Sequence, residues 1–113
     1  MRLLRVGALP DEPLAAAARF HADVLPLALA EMEAGEDLVL LFQPAGHAHS
    51  DWRLSAVQGL ARRFAPARVN AVAGEDGPAI EAAIAYIDRA PGVTGQLLPV
   101  DGTGAGPMLY QAG

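Results

Sequence analysis

Apolar and polar positions follow two different rhythms along this chain, and together they predict four strands and three helices. Four short stretches are almost continuously apolar, which is typical of strands covered on both faces. Between them, apolar residues recur every three or four positions, as on one face of a helix. The predicted strands are Arg2 to Leu9, Asp37 to Phe42, Arg68 to Ala73 and Gln96 to Val100, and the predicted helices begin near Asp11, Ser50 and Gly77.

Turn and capping residues mark the ends of these elements. Asp11 is a candidate N-cap for the first helix, and Ser50 or Asp51 is a candidate for the second. Pro26 lies inside the first helical pattern and is expected to kink or split it. Pro99 cannot donate a backbone hydrogen bond, so the last strand is expected at a sheet edge or at a distortion.

Strands that alternate with helices indicate βαβ units and a parallel sheet. The chain has 113 residues, so we expect one α/β domain spanning residues 1–113. If the strands pair in chain order through right-handed crossovers, all three helices lie on one face. The other face and the first edge strand would then be uncovered, which favours association with another chain.

Composition excludes several function classes. The net charge of −5 and the absence of a basic patch argue against nucleic acid as a partner. The chain has no cysteine, so disulfides and thiolate metal sites are excluded. All eight basic residues are arginine, so any mechanism that needs a lysine is excluded as well. No apolar stretch is long enough to span a bilayer and no signal peptide pattern is present, so we expect a cytoplasmic protein without membrane contact.

Three sequence blocks carry a resemblance to a known family. They are AVQGLARRFAP (residues 56–66), RVNAVAG (residues 68–74) and AYIDRAPGVTGQLLPVDG (residues 85–102). In this order they resemble the C-terminal half of the classical short-chain dehydrogenase/reductase family, including its R-V-N-x-V strand and closing V-T-G-Q…V-D-G motif. The resemblance implies a two-layer or three-layer Rossmann-like half-domain of about four parallel strands alternating with three helices.

The chain departs from the family pattern where the chemistry would lie. The alignment places the family's catalytic tyrosine at Ser50 and its catalytic lysine at Leu54. Serine cannot replace a phenol activated by an ammonium group, and leucine carries no charge. The Gly-rich cofactor turn is absent, since only Gly7 follows the first strand. We therefore expect no cofactor, no metal and no hydride transfer.

Three functions remain open at this point. The first is a pseudoenzyme that acts as a homodimer or as a subunit with a full-length short-chain dehydrogenase. The second is a small-molecule binder, and the third is an enzyme of altered chemistry that uses His47 or His49. Ligands of open α/β sheets bind at the carboxyl ends of the strands. The candidate ligand-binding residues are Gln43, His47, His49, Asn70 and Gly74.

The predicted association surface comprises the two long helices, the last helix and the last strand, by resemblance to the subunit contacts of the family. A symmetric dimer would bury the same surface on both copies. The candidate interface residues are Leu25, Leu29, Met32, Trp52, Val57, Leu60, Phe64, Val93, Thr94 and Gln96.

Overall fold

Four parallel strands form one sheet, and each strand pairs with the next strand in the chain. This computed structural model describes residues 1–100. Asp101 and Gly102, which complete the closing motif, lie outside the described residues. The α/β fold class and the parallel sheet predicted from the sequence are confirmed.

The strands are shorter than the apolar runs that predicted them, and one predicted helix is split in two. The strands are β1 (Arg2–Arg5), β2 (Leu38–Phe42), β3 (Val69–Ala73) and β4 (Leu97–Pro99), and the helices are α1 (Pro13–Arg19), α2 (Leu25–Met32), α3 (Ser50–Phe64) and α4 (Pro78–Asp88).

The first predicted helix is split in two, as the position of Pro26 inside it predicted. A π-helical stretch at Phe20–Val24 separates α1 from α2, and Pro26 lies in the first turn of α2. Proline is tolerated there because the first helical N–H groups have no intrahelical partner. The predicted N-cap was wrong by one residue, since the carboxylate of Glu12 accepts hydrogen bonds from the backbone N–H groups of Leu14 and Ala15.

The helices lie on both faces of the sheet, which corrects the prediction that all of them share one face. Alternate side chains of β2 and β3 pack under α1, α2 and α3, and those between them pack under α4. Each connection leads to the neighbouring parallel strand, and all three connections move across the sheet toward the same edge. The β3–α4–β4 connection therefore has the opposite hand to the two before it. The prediction failed because it assumed right-handed crossovers throughout.

Two features, one at each end of α4, hold this helix on the opposite face of the sheet. Gly77 directly precedes the helix with a φ of 150°, which favours glycine. At the other end of α4, Nη1 of Arg68 donates to the carbonyls of Ile87 and Ala90 at 2.9 and 2.8 Å. The same guanidinium pairs with Asp37 through Nε at 2.9 Å, so one side chain ties α4 to the start of β2.

The two edge strands differ in how much of them is covered. Pro99 lies in β4, which is an edge strand as predicted. At the other edge, α4 does not cover β1, and Leu3 is 50% exposed. Since α4 packs against the second face of β2 and β3, that face is less open than the sequence predicted. No helix within residues 1–100 is long and apolar enough to cross a membrane.

Candidate functional site

A cleft of about 410 Å³ opens at the carboxyl ends of β1 and β2. Its walls come from the loop after β1, the loop after β2 and the first turn of α3. Leu9, Pro10, Pro13 and Pro44 supply apolar surface, while the polar lining includes Asp11, Gln43, His49 and Arg53. Open α/β sheets bind small molecules at this end of the strands, so this cleft is the candidate functional site.

Arg53 is the most unusual residue of the cleft. It is 6% exposed, and its guanidinium carbon lies 4.4 Å from the centre of the Phe42 ring. Nη1 donates to the backbone carbonyl of Gln43 at 3.1 Å, whereas the buried Nε has no partner. Burial lowers the pKa of this guanidinium, but an arginine stays protonated near neutral pH. The sequence pattern does not single out this residue, because its position resembles that of an ordinary polar residue on a helix.

His49 is held by two hydrogen bonds and is 7% exposed. Nε2 lies 2.9 Å from the carbonyl of Asp11, and Nδ1 lies 3.1 Å from the indole Nε1 of Trp52. The carbonyl can only accept and the indole can only donate, so this pair of hydrogen bonds requires the Nε2–H tautomer of the ring. Both ring nitrogens are therefore occupied, and His49 fixes the loop before α1 against α3.

The other predicted residues after β2 lie near the cleft but differ in their access to it. The side chain of Gln43 is exposed, and its backbone carbonyl anchors Arg53. His47 is exposed in a 3₁₀ turn at His47–His49 and does not line the cleft. Within residues 1–100, no group of three or more histidine, cysteine or acidic side chains could hold a metal ion.

Gly74 lines a neighbouring cavity of about 330 Å³ between the ends of β1, β2 and β3. A Cβ atom at this position would lie 2.7 Å from the carbonyl oxygen of Val100 and 2.8 Å from its Cγ2. Such contacts are far inside van der Waals distance, so glycine permits the close approach of the chain after β4. Gln43 lines both cavities, which brings Gly74 near the cleft without placing it in the cleft.

Asn70 lies elsewhere, in the amino-terminal half of β3, whereas the cleft lies at the carboxyl ends of the strands. It is 1% exposed, and Nδ2 donates to the carbonyl of Val93 at 2.9 Å. Its Oδ1 accepts from the backbone N–H of Gln96 at 3.1 Å. The side chain thus joins β3 to the loop between α4 and β4. The structure does not bring Asn70 together with the other candidate ligand-binding residues.

The predicted interface residues fall into a buried group and an accessible group. Met32, Val57 and Leu60 are 3%, 0% and 4% exposed and pack in the core of this chain, so their side chains are not available to a partner. This corrects their assignment to the surface, because the apolar stripe of each helix faces the sheet first. The accessible candidates are Leu25, Leu29, Trp52, Phe64, Val93, Thr94 and Gln96.

A groove of about 310 Å³ runs between α2 and α3 on the side away from the sheet. Leu25, Leu29 and Trp52 line it and are partly buried, whereas Gly59 leaves open space on α3. The accessible members of the predicted interface on α2 and α3 therefore largely share one continuous surface.

A protein-family model for short-chain dehydrogenase-like proteins matches residues 4–100. The chain belongs to the short-chain dehydrogenase-like family. No curated protein and no solved structure shows significant similarity to it. The match covers β2, β3, β4 and the second half of β1, so the predicted resemblance is confirmed for this protein.

Family membership sharpens the interpretation of two positions of this short-chain dehydrogenase-like protein. Ser50 and Leu54, at the predicted tyrosine and lysine positions, lie in the first two turns of α3 and are partly buried. Arg53 is adjacent to Leu54, and it is the residue of this turn whose charge reaches the cleft. This turn thus presents a permanent cation to the cleft.

Proposed function

We propose that this short-chain dehydrogenase-like protein is non-catalytic and acts through self-association of the α3 surface. The lack of any lysine, with serine and leucine at the family's catalytic positions, supports the first part. The single observation that carries the second part is the charge pattern along the exposed side of α3.

That exposed side has an acid at one end and two bases at the other. Asp51 is in the first turn, Arg62 and Arg63 are in the last turn, and Ser55 and Gly59 lie between them. All five are exposed, and the spacing of three or four residues places them along one side of the helix. Within residues 1–100, the three charged side chains form no ion pair with other residues.

An antiparallel pair of α3 helices related by a two-fold axis would match this pattern. Eleven residues separate Asp51 from Arg62, which is roughly 17 Å along the helix. Each acid would then face the bases of the other copy at both ends, and Gly59 would allow close approach near the middle. A two-fold axis repeats each contact, so the same surface serves both copies. The groove beside Trp52 extends that surface toward α2.

Charge exchange between the two ends of α3 tests the proposal. The Asp51→Arg variant and the Arg62→Asp/Arg63→Asp variant each place like charges together at both ends of the pair. Each variant alone is expected to be monomeric in analytical ultracentrifugation. Their equimolar mixture restores opposite charges at both ends and should recover the dimer. The mixture is its own control, since it contains both altered surfaces.

Three other results would contradict this proposal. A monomeric unaltered protein at high micromolar concentration would remove the basis for self-association. Dimers that persist in both variants would place the interface elsewhere. Recovery of a full-length dehydrogenase at fixed stoichiometry, with the tagged chain purified from its native host, would favour a mixed complex instead.

A further inference from the structure

The cleft contains a buried cation with no counter-charge from the described part of the chain. Arg53 is 6% exposed and forms none of the ion pairs found within residues 1–100. Of its five N–H donors, one on Nη1 has a protein acceptor, the carbonyl of Gln43. Charged side chains are rarely buried unless they are paired, so this residue needs an explanation.

Three contacts hold the guanidinium still. The Phe42 ring lies under it at 4.4 Å, the Trp52 ring lies 5.8 Å away, and Nη1 is fixed to the carbonyl of Gln43. Stacking on aromatic rings satisfies the faces of the group but leaves its edge donors unused. A planar, fixed fork of donors matches the two oxygens of a carboxylate.

We propose that the cleft binds a small organic monocarboxylate whose carboxyl group pairs with Arg53. This inference is independent of self-association, since Arg53 faces the cleft, whereas the exposed side of α3 that carries Asp51 and Arg62 faces the solvent. The predicted ligand-binding residues Gln43 and His49 border the same cleft, with Gln43 holding the arginine and His49 holding the cleft wall.

The lining favours a monoanion with an apolar body over inorganic phosphate. Besides Arg53, the cleft is lined by the acid Asp11, which repels a phosphate dianion more strongly than it repels a monocarboxylate. Leu9, Pro10, Pro13 and Pro44 offer apolar surface beside the cation. A cleft of about 410 Å³ has the size of ordinary small-molecule sites.

Trp52, the only tryptophan of the chain, is a natural reporter for this site. Its ring lies next to the Arg53 guanidinium. The two test ligands are non-aromatic, so neither of them absorbs where tryptophan does. Cyclohexanecarboxylate and cyclohexanecarboxamide have the same shape and differ in charge. The full chain is titrated with each of them and with inorganic phosphate, and fluorescence and melting temperature are recorded. The same titrations are run on Arg53→Met, Arg53→Lys and the surface control Arg89→Met, which replaces an exposed arginine at the end of α4.

The carboxylate is expected to shift the fluorescence and raise the melting temperature of the unaltered protein, whereas the amide does neither. Arg53→Met should weaken carboxylate binding at least tenfold, Arg53→Lys less so, and Arg89→Met should leave it unchanged. Equal binding of acid and amide would overturn the proposal, because the cleft would then recognise only apolar shape. Tighter binding of phosphate, or no binding of the acid up to its solubility limit, would overturn it as well. The comparison of acid with amide needs no variant, so it decides even if Arg53→Met does not fold.

Discussion

Replacing Asn70 with alanine is expected to destabilise the protein strongly, because the amide joins two parts of the fold. The side chain is 1% exposed and bonds the carbonyl of Val93 and the N–H of Gln96. Leaving a buried partner without its hydrogen bond costs about 1–3 kcal/mol. The Val93 carbonyl still accepts a long hydrogen bond of 3.4 Å from Arg68, so the cost of losing its bond to Asn70 falls at the low end of that range. We therefore expect a loss of about 2–4 kcal/mol in the free energy of unfolding.

A loss of that size is large for a domain of this length. Each kcal/mol lowers the melting temperature of a 60–100-residue domain by roughly 4–8 °C. The assay is urea unfolding followed by Trp52 fluorescence, with circular dichroism as a second probe. Gln96→Ala is the matched control, since it keeps the backbone N–H that Asn70 binds and removes only an exposed side chain. A change below about 0.6 kcal/mol for Asn70→Ala would refute the structural role of the amide.

Three further changes probe other parts of the molecule. Gly74→Ala should cost about 1–3 kcal/mol because the new methyl group overlaps the chain after β4. Gly92→Ala, where nothing lies within 4 Å of the added methyl group, should change the stability by less than about 1 kcal/mol. Thermal melts of both variants would show whether crowding is the cause. Burial alone would raise the pKa of Asp37, but hydrogen bonds and charge from Arg68 outweigh it and hold that pKa below its usual value. The pairing thus stabilises the fold above about pH 4, and this stabilisation is lost as pH falls through the lowered pKa. Asp37→Asn should therefore cost about 1–2 kcal/mol at pH 7 and progressively less in acid. A difference in stability between the two proteins that does not change with pH would contradict this. His49→Phe keeps the volume but loses two hydrogen bonds and should cost about 1–3 kcal/mol, measured by urea unfolding; an unchanged midpoint would show that the ring is held by packing alone.

The central sheet was predictable because its strands are apolar on both faces. The runs at β2 and β3 are mostly apolar, so their residues suit burial on whichever face of the sheet they lie, and both strands are fully buried. The split of the first predicted helix near Pro26 was predictable for a similar local reason, the missing backbone donor.

Features that depend on three-dimensional direction were not predictable. The face chosen by α4 depends on a turn at Gly77 and on the two hydrogen bonds from Arg68 to the end of the helix. The helical period marked Val57 as apolar, but it could not say whether the sheet or a partner covers it. Arg53 was missed because burial of a charged side chain is decided by residues distant in sequence, here Phe42 and the loop at Gln43.

Pairing of the strands in chain order has a consequence for how this chain folds. Arg2 pairs with Leu38, Leu38 with Val69, and Ala71 with Leu97, so each pairing closes a loop of about thirty residues. Closure entropy depends only weakly on such length differences, so it gives no pairing a clear lead. Apolar burial then decides the order, and the two fully buried strands with the helix between them are expected to assemble first. The outer strands can join from either side, so folding can proceed unit by unit without waiting for distant chain ends to meet.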